Sequence, residues 1–97
     1  MRACVCSKRK DVRHSLALCD KEKEFRKSRK QFIFKTMKKF MGADAPRTMA
    51  ETPTIAVMGS GGGYRAMVAF YGVLAALEEM ELLNCTMYTN GLSGSTW

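Results

Sequence analysis

The amino-acid sequence predicts an α/β fold built on one βαβ unit that follows a basic amphipathic helix. Two short apolar runs, 54–58 and 85–90, have the length and composition of strands. Between them lie a glycine-rich turn and a segment from Tyr64 whose apolar residues recur at helical spacing. A helix between two strands is the connection that parallel pairing needs, so we expect the strands to be adjacent and parallel.

The N-terminal half divides into three segments. Residues 1–19 show no strong hydrophobic periodicity and are expected to form a tail or an edge segment. Residues 20–42 predict a helix with Asp20 as its N-cap and Gly42 at its C-terminal end. Residues 43–53, with two prolines, predict a linker. The apolar residues of the helix fall largely on one stripe: Phe25, Phe32, Ile33, Met37, Phe40 and Met41.

The net charge of +7 is unevenly distributed. Fifteen of the sixteen lysines and arginines lie in residues 1–52, and residues 53–97 carry one arginine against three glutamates. The basic helix could lie on an anionic membrane or bind an acidic partner, or its apolar stripe could pack on a larger domain. Since no nucleic-acid-binding module accompanies the charge, no nucleic-acid partner is expected.

The four cysteines and single histidine lack the spacing of metal ligands or of a disulfide framework, so no metal site is expected. Cys4 and Cys6 stand beside basic residues, where palmitoylation is one interpretation and idle thiols are the other. The sequence shows neither a secretory signal nor an apolar run of membrane-spanning length. We therefore expect a reduced, cytoplasmic environment.

The glycine-rich turn, residues 59–63, comes directly after the first predicted strand. It is not a dinucleotide fingerprint, because Tyr64 stands where the third glycine belongs and the later acid is missing. It is not a phosphate-binding P-loop either, since the Gly-Lys-Ser/Thr ending does not occur. The remaining interpretation is an anion cradle in which Gly62 and Gly63 donate N–H groups, with Arg65 adjacent.

Residues 91–95, Gly-Leu-Ser-Gly-Ser, follow the second predicted strand. They resemble the nucleophile elbow Gly-x-Ser-x-Gly, with Ser95 at the last position. Small flanking residues permit a sharp strand-to-helix turn that exposes the Ser93 hydroxyl. The alternative is a loop serine that caps a following helix. The preceding glycine loop favours the first interpretation, a serine nucleophile beside an oxyanion cradle, although no general base is recognisable.

The glycine-rich turn followed by the serine elbow resembles the sequence of a known family. Residues 59–67 and 91–97 closely resemble the start of the catalytic domain of the cytosolic (group IV) phospholipases A2, and more distantly the patatin-like acyl hydrolases. Residues 18–26 and 37–39 look like the helix that precedes this domain. The resemblance implies that residues 54–97 are the start of an incomplete patatin-like catalytic domain.

The resemblance also implies a serine acyl hydrolase acting on the sn-2 ester of glycerophospholipids through a Ser–Asp dyad. Ser93 would be the nucleophile, Gly62 and Gly63 the oxyanion donors, and Arg65 the ligand of the substrate phosphate. The family's aspartate lies in a later motif that is missing here. We therefore expect a fragment with phospholipase A2 or lysophospholipase ancestry that is inactive by itself. The alternative is a non-catalytic, basic module that binds a membrane surface or a partner.

No cofactor is expected in this fragment. Family members use calcium for membrane docking through a C2 domain, and no such domain is recognisable in this sequence. The resemblance implies phospholipid and the membrane surface as partners, with peripheral association with intracellular membranes from the cytoplasm. No protein partner is predicted.

Overall fold

The computed structural model describes residues 14–97. It consists of two helices and a two-stranded sheet: α1 (Asp20–Met41), β1 (Ala56–Gly59), α2 (Gly63–Glu79) and β2 (Tyr88–Gly91). Short 3₁₀ turns lie in the connections. The predictions made for Cys4 and Cys6, and most of the predicted tail, fall outside the described residues. The proposed division into tail, helix, linker and domain start stays a prediction.

The two strands are adjacent and parallel, which confirms the predicted α/β fold. Ala56 pairs with Tyr88, and Gly59 pairs with Gly91 at the other end of the ladder. The Leu92 N–H donates to the Gly59 carbonyl at 3.0 Å, which continues the pairing beyond β2. Because both strands run in the same direction, the segments after Gly59 and Gly91 leave the sheet at the same edge.

The strand and helix limits differ from the sequence-based prediction by a few residues. β1 begins at Ala56 instead of Thr54, and α2 ends at Glu79, before a left-handed residue at Glu81. The larger error concerns the second strand. Residues 82–85 form a 3₁₀ turn, and β2 begins only at Tyr88. Local hydrogen bonding decides this, because the Thr86 hydroxyl and N–H both donate to the Leu83 carbonyl.

The start of α1 also corrects the prediction. Asp20 is not the N-cap, because Cys19 occupies that position with extended backbone and makes no side-chain capping bond. The Asp20 carboxylate lies in the first turn instead, where it accepts a 3.2 Å hydrogen bond from Lys23 Nζ. At the other end Gly42 adopts φ 60°, and its N–H donates to the Lys38 carbonyl, as expected of a C-terminal glycine.

The core lies between α1 and the segment that leads into β2. Ile33 is 0% exposed and Met37 is buried beside it, and both pack with Cys85 and Met87. Burial raises the pKa of the Cys85 thiol, although Arg29 opposes this. Only Ile33 and Met37 of the predicted apolar stripe are therefore buried in the core. The other four residues are exposed: Phe25, Phe32, Phe40 and Met41.

Polar contacts also hold α1 on the segment that leads into β2, residues 83–88. Arg29 Nε donates to the Thr86 carbonyl at 3.0 Å and a terminal guanidinium nitrogen donates to the Leu83 carbonyl at 3.4 Å. The Tyr88 hydroxyl donates to Glu22 at 2.8 Å. Desolvation and this carboxylate raise the Tyr88 pKa. α1 is thus joined to the start of the strand that leads to Ser93.

A short, continuous apolar run with β-branched residues, such as residues 54–58, is typical of a strand buried on both faces, but β1 is not buried in this way. Met58 is 75% exposed, and no residue of β1 or α2 is buried. One crossing helix covers only one face of a two-stranded sheet, so the other face lies open.

Truncation of Ile33 tests this core. We expect Ile33→Ala to lower the free energy of unfolding by about 2–4 kcal/mol, because it removes a fully buried side chain and leaves a cavity. Val73→Ala on α2, where the side chain is half exposed, is the matched control and should cost less than about 1 kcal/mol. Urea denaturation followed by circular dichroism measures both. Equal effects would show that α1 does not pack on residues 85–87.

Candidate functional site

The glycine loop and the serine turn meet at one edge of the sheet. Each follows directly after its strand, and the last residues of those strands, Gly59 and Gly91, are paired. A Cβ placed on Gly61 would lie 3.2 Å from Ser93 Cβ and 3.9 Å from Ser93 Oγ. Of the glycines in the loop, Gly61 is therefore the one that faces the Ser93 side chain.

Ser93 has the backbone geometry of a sharp turn. Its φ is +53°, in the left-handed region that residues with a Cβ seldom adopt. It begins a 3₁₀ turn, Ser93–Thr96, and its side chain is exposed at the end of β2. Strained residues of this kind persist only where the surrounding structure holds them, and they are frequent at functional sites. The predicted elbow therefore has the expected backbone form.

Close backbone contacts hold the elbow in place. A Cβ on Gly94 would collide with the Gly63 carbonyl, and one on Gly91 would collide with the Ser95 carbonyl. A Cβ on Gly59 would lie 2.7 Å from Ser95 Cβ and 2.8 Å from the Phe70 ring. Three positions at this edge therefore leave no room for a Cβ: Gly91 and Gly94 pack on backbone, and Gly59 packs on the Ser95 and Phe70 side chains.

A hydroxyl group links the two motifs, and the sequence-based interpretation missed it. Ser95 Oγ donates to the Ser60 carbonyl at 2.5 Å. The elbow pattern has glycine at this position, so the departure from the pattern was the available signal. A serine makes a bond between elbow and glycine loop that a glycine could not make.

The predicted oxyanion donors lie at the start of α2. Gly62 is the N-cap with φ 149°, and Gly63 is the first helical residue with φ 60°. The first N–H groups of a helix have no partner within it, and the helix dipole favours negative charge there. The Gly63 backbone adjoins the elbow at Gly94, whereas a Cβ on Gly62 would lie 3.3 Å from the Cβ of Ala66, within α2.

Arg65 lies in the first turn of α2, and its side chain is exposed. Among residues 14–97 it makes no ion pair, and it does not line the cavity beside Ser93. That cavity has a volume of about 290 Å³ and is lined by Gly63, Tyr64, Met67, Ser93, Gly94 and Trp97. The proposed contact between Arg65 and a phosphate therefore stays a prediction.

A second, larger cavity of about 690 Å³ adjoins the first and shares Met67, Gly94 and Trp97 with it. It lies between α2 and the elbow. Its walls include Phe70, Leu74 and other apolar side chains of α2. Ser93 thus stands beside a surface suited to an apolar ligand.

No general base adjoins Ser93 in the described part of the chain. Neither cavity is lined by a histidine, aspartate or glutamate. Glu78 and Glu79 belong to the last turn of α2, at the end opposite to the glycine loop. Among residues 14–97 no cluster of histidine, cysteine and acidic side chains could hold a metal ion. None of the helices described combines the length and apolarity that crossing a bilayer requires.

Comparison with known proteins decides the family. The family model for the lysophospholipase catalytic domain matches residues 55–97. Mouse (Mus musculus) cytosolic phospholipase A2 zeta is 45% identical over 87 residues, which are 90% of this chain. The chain belongs to the cytosolic phospholipase A2 family. Within this family it corresponds to part of the catalytic domain, as the sequence motifs predicted.

Solved structures of the same family share the fold. The structure of human GIVD cytosolic phospholipase A2 matches 82% of this chain with a TM-score of 0.77 and 42% sequence identity. A second structure of that cytosolic phospholipase A2, in complex with methyl gamma-linolenyl fluorophosphonate, matches with a TM-score of 0.76. The chain spans about a tenth of the length of these relatives: 10% of the mouse protein and 11% of the human chain.

A glycine substitution tests the elbow packing. We expect Gly94→Ala to lower the free energy of unfolding by about 3 kcal/mol or more, because the new Cβ would collide with the rigid Gly63 backbone. Gly72→Ala, in α2, meets nothing within 4 Å and should raise stability by about 0.5–1 kcal/mol. Both are measured by urea denaturation. If Gly94→Ala left the free energy of unfolding unchanged, the elbow and the glycine loop would not be in contact.

Proposed function

We propose that this segment carries the nucleophile and the oxyanion donors of a serine acyl hydrolase that acts on the sn-2 ester of glycerophospholipids. The observation that supports the proposal best is the position of Ser93. It stands on a positive-φ turn at the sheet edge where the glycine loop and the start of α2 also lie. Nucleophile and anion-binding backbone thus share one edge.

In the proposed reaction Ser93 Oγ attacks the ester carbonyl carbon while its proton passes to a base. The carbonyl oxygen becomes an oxyanion, which the N–H groups of Gly62 and Gly63 stabilise. The carbon–oxygen bond to glycerol then breaks, the lysophospholipid leaves with a proton, and the acyl group stays on Ser93 as an ester. Water hydrolyses this ester, which releases the fatty acid and restores the serine.

The base in this proposal is the aspartate of a Ser–Asp dyad. No acidic side chain of the described residues lines the cavities at Ser93, so none of them is assigned to that role. A base that accepts the proton is needed, because an unactivated serine hydroxyl is a weak nucleophile near neutral pH.

A phospholipid substrate suits the surroundings of Ser93. The apolar cavity between α2 and the elbow offers a surface for an acyl chain. In the same proposal the Arg65 guanidinium binds the substrate phosphate, which the exposure of this side chain permits. The bound fluorophosphonate of the human relative carries a linolenyl chain, in keeping with a lipid-binding site in that protein.

The proposal also covers the cofactor and the location of the protein. The reaction needs no cofactor at Ser93 itself. Calcium would act in membrane docking through a C2 domain, as the family resemblance implies, and not in the chemical step. The protein would work in the cytoplasm and associate peripherally with the membrane that supplies its substrate.

The alternative function, a basic module that binds membrane or an acidic partner through α1, has less support. Ile33 and Met37 pack into the core, which favours a structural role for the helix. Moreover, Arg29 joins α1 to residues 83 and 86, before β2, whereas Ser93 follows β2 at the other end of the strand. A membrane surface seated on α1 would therefore lie away from the proposed catalytic edge.

Replacement of Ser93 tests the proposal. We use a chimera in which the matching segment of the human GIVD enzyme is replaced by this chain's residues, assayed on phospholipid vesicles. Ser93→Ala should lower kcat by roughly 10⁴- to 10⁶-fold, as loss of a catalytic nucleophile does. Ser28→Ala, an exposed serine of α1, should leave kcat unchanged.

Retained hydrolysis in the Ser93→Ala chimera would refute the proposed function. The unfused chain is the second control. It should show no turnover above background, because no histidine, aspartate or glutamate among residues 14–97 lines the cavities at the serine. Turnover that disappears in its Ser93→Ala variant would show that the chain supplies its own base.

Arg65 is tested by comparing two substrates in the same chimera. Arg65→Ala should lower kcat/KM on phospholipid by roughly 10- to 100-fold, which corresponds to the loss of a charge-assisted hydrogen bond. On a neutral acyl ester without phosphate it should have no effect. Arg47→Ala, another exposed arginine, is the matched control. Equal losses on both substrates would assign Arg65 to the fold instead of to the phosphate.

A further inference from the structure

The bond between Ser95 and the glycine loop has a consequence for the geometry of the oxyanion donors. Ser95 Oγ donates to the Ser60 carbonyl at 2.5 Å, across 35 residues of sequence. Ser60 is the residue between β1 and the run Gly61-Gly62-Gly63. The acceptor is therefore the last carbonyl before three residues that have no side chains to hold them.

Ser95 is itself held firmly. Its N–H donates to the Leu92 carbonyl at 3.2 Å within the elbow turn. Its Cβ lies against Gly59, so closely that a Cβ there would be 2.7 Å away, and its carbonyl excludes a side chain at Gly91. The hydroxyl thus projects from a fixed backbone, which makes it a defined anchor and not a mobile surface group.

Fixing one carbonyl orients a whole peptide unit. The Ser60–Gly61 peptide is planar, and in a trans peptide the N–H points opposite to the C=O. With the Ser60 carbonyl held by Ser95, the direction of the Gly61 N–H is also set. Glycine residues otherwise populate both signs of φ with similar ease, so an untethered Gly-Gly-Gly run would sample several arrangements of its N–H groups.

We propose that Ser95 is a positioning residue that holds the glycine loop in the arrangement needed for oxyanion binding. The inference rests on the proposed function for its catalytic meaning. The physical reason is preorganisation: donors stabilise a developing negative charge best when they need no reorientation during the reaction. Ser95 acts through the loop and does not touch the reacting atoms.

The full chain, labelled with ¹⁵N and ¹³C, allows a direct test by NMR. In the wild-type chain the amides of Gly61, Gly62 and Gly63 should have order parameters near those of a rigid backbone, about 0.85. Ser95→Ala removes only the hydroxyl oxygen. It should shift the Ser60 carbonyl and Gly61 nitrogen signals and lower the order parameters of Gly61 and Gly62 toward about 0.6, whereas Gly63, which packs on Gly94, should stay rigid. Ser95→Cys, whose thiol is a weak donor, should give intermediate values.

Thr36→Val is the matched control for this experiment. It also removes a hydroxyl that donates to a backbone carbonyl, that of Phe32 at 2.9 Å, but in α1 and away from the elbow. The glycine-loop signals should not change in this variant. Unchanged order parameters in Ser95→Ala, with the α1 and α2 signals showing an intact fold, would overturn the inference.

The chimera with the human GIVD enzyme separates this inference from the proposed function. Ser95→Ala should lower kcat by about 10- to 100-fold with KM unchanged, because only the transition state carries the oxyanion. If Ser93→Ala abolishes hydrolysis while Ser95→Ala has full activity, the positioning role fails and the proposed function stands. If Ser93→Ala has no effect, the proposed function fails, and the NMR measurement still decides whether Ser95 holds the loop.

Discussion

The direct packing of one backbone segment on another, at the edge where both strands end, is the constraint on which the rest of this structure depends. Gly94 lies on the carbonyl of Gly63, and Gly59 and Gly91 lie on Ser95. A single added Cβ at these glycines would separate the segments, so the site exists only because side chains are missing there. The positive φ of Ser93 lies in the same tightly packed turn, and such conformations persist only where the surrounding structure holds them.

The remainder of the described chain supports that edge from the other end of the sheet. Arg29 binds two carbonyls of the segment before β2, and Ile33 and Met37 pack on Cys85 and Met87. The position of β2 is therefore determined by α1 at its start and by the glycine loop at its end. One face of α1 thus packs on this segment, and most of its lysines are exposed to solvent.

The large exposed apolar area on α2 and β1 has a related cause. A helix crossing a two-stranded sheet covers one face and leaves its own outer side open. Val73 on α2 is half exposed and Met58 on β1 is mostly exposed, and neither lines the two cavities at the elbow. In a family whose members are about ten times longer than the matched segment, such surfaces are the expected contact faces for further elements of the domain.

The sequence by itself determined the order of the elements, the parallel pairing and both motifs, because glycine runs and apolar periodicity act locally through backbone freedom and burial. It did not determine that β2 begins at Tyr88. The Thr86 hydroxyl closes the preceding turn locally on Leu83, but the Arg29 side chain that binds the Thr86 carbonyl lies 57 positions away in the sequence. Nor did it show the Ser95 bond: serine in place of the pattern's glycine was a signal, but the acceptor, the Ser60 carbonyl, is 35 residues away and is brought beside it only by the tertiary structure. Which glycine faces Ser93 was likewise decided only by the tertiary structure, because that depends on how two distant loops approach one another at a shared edge.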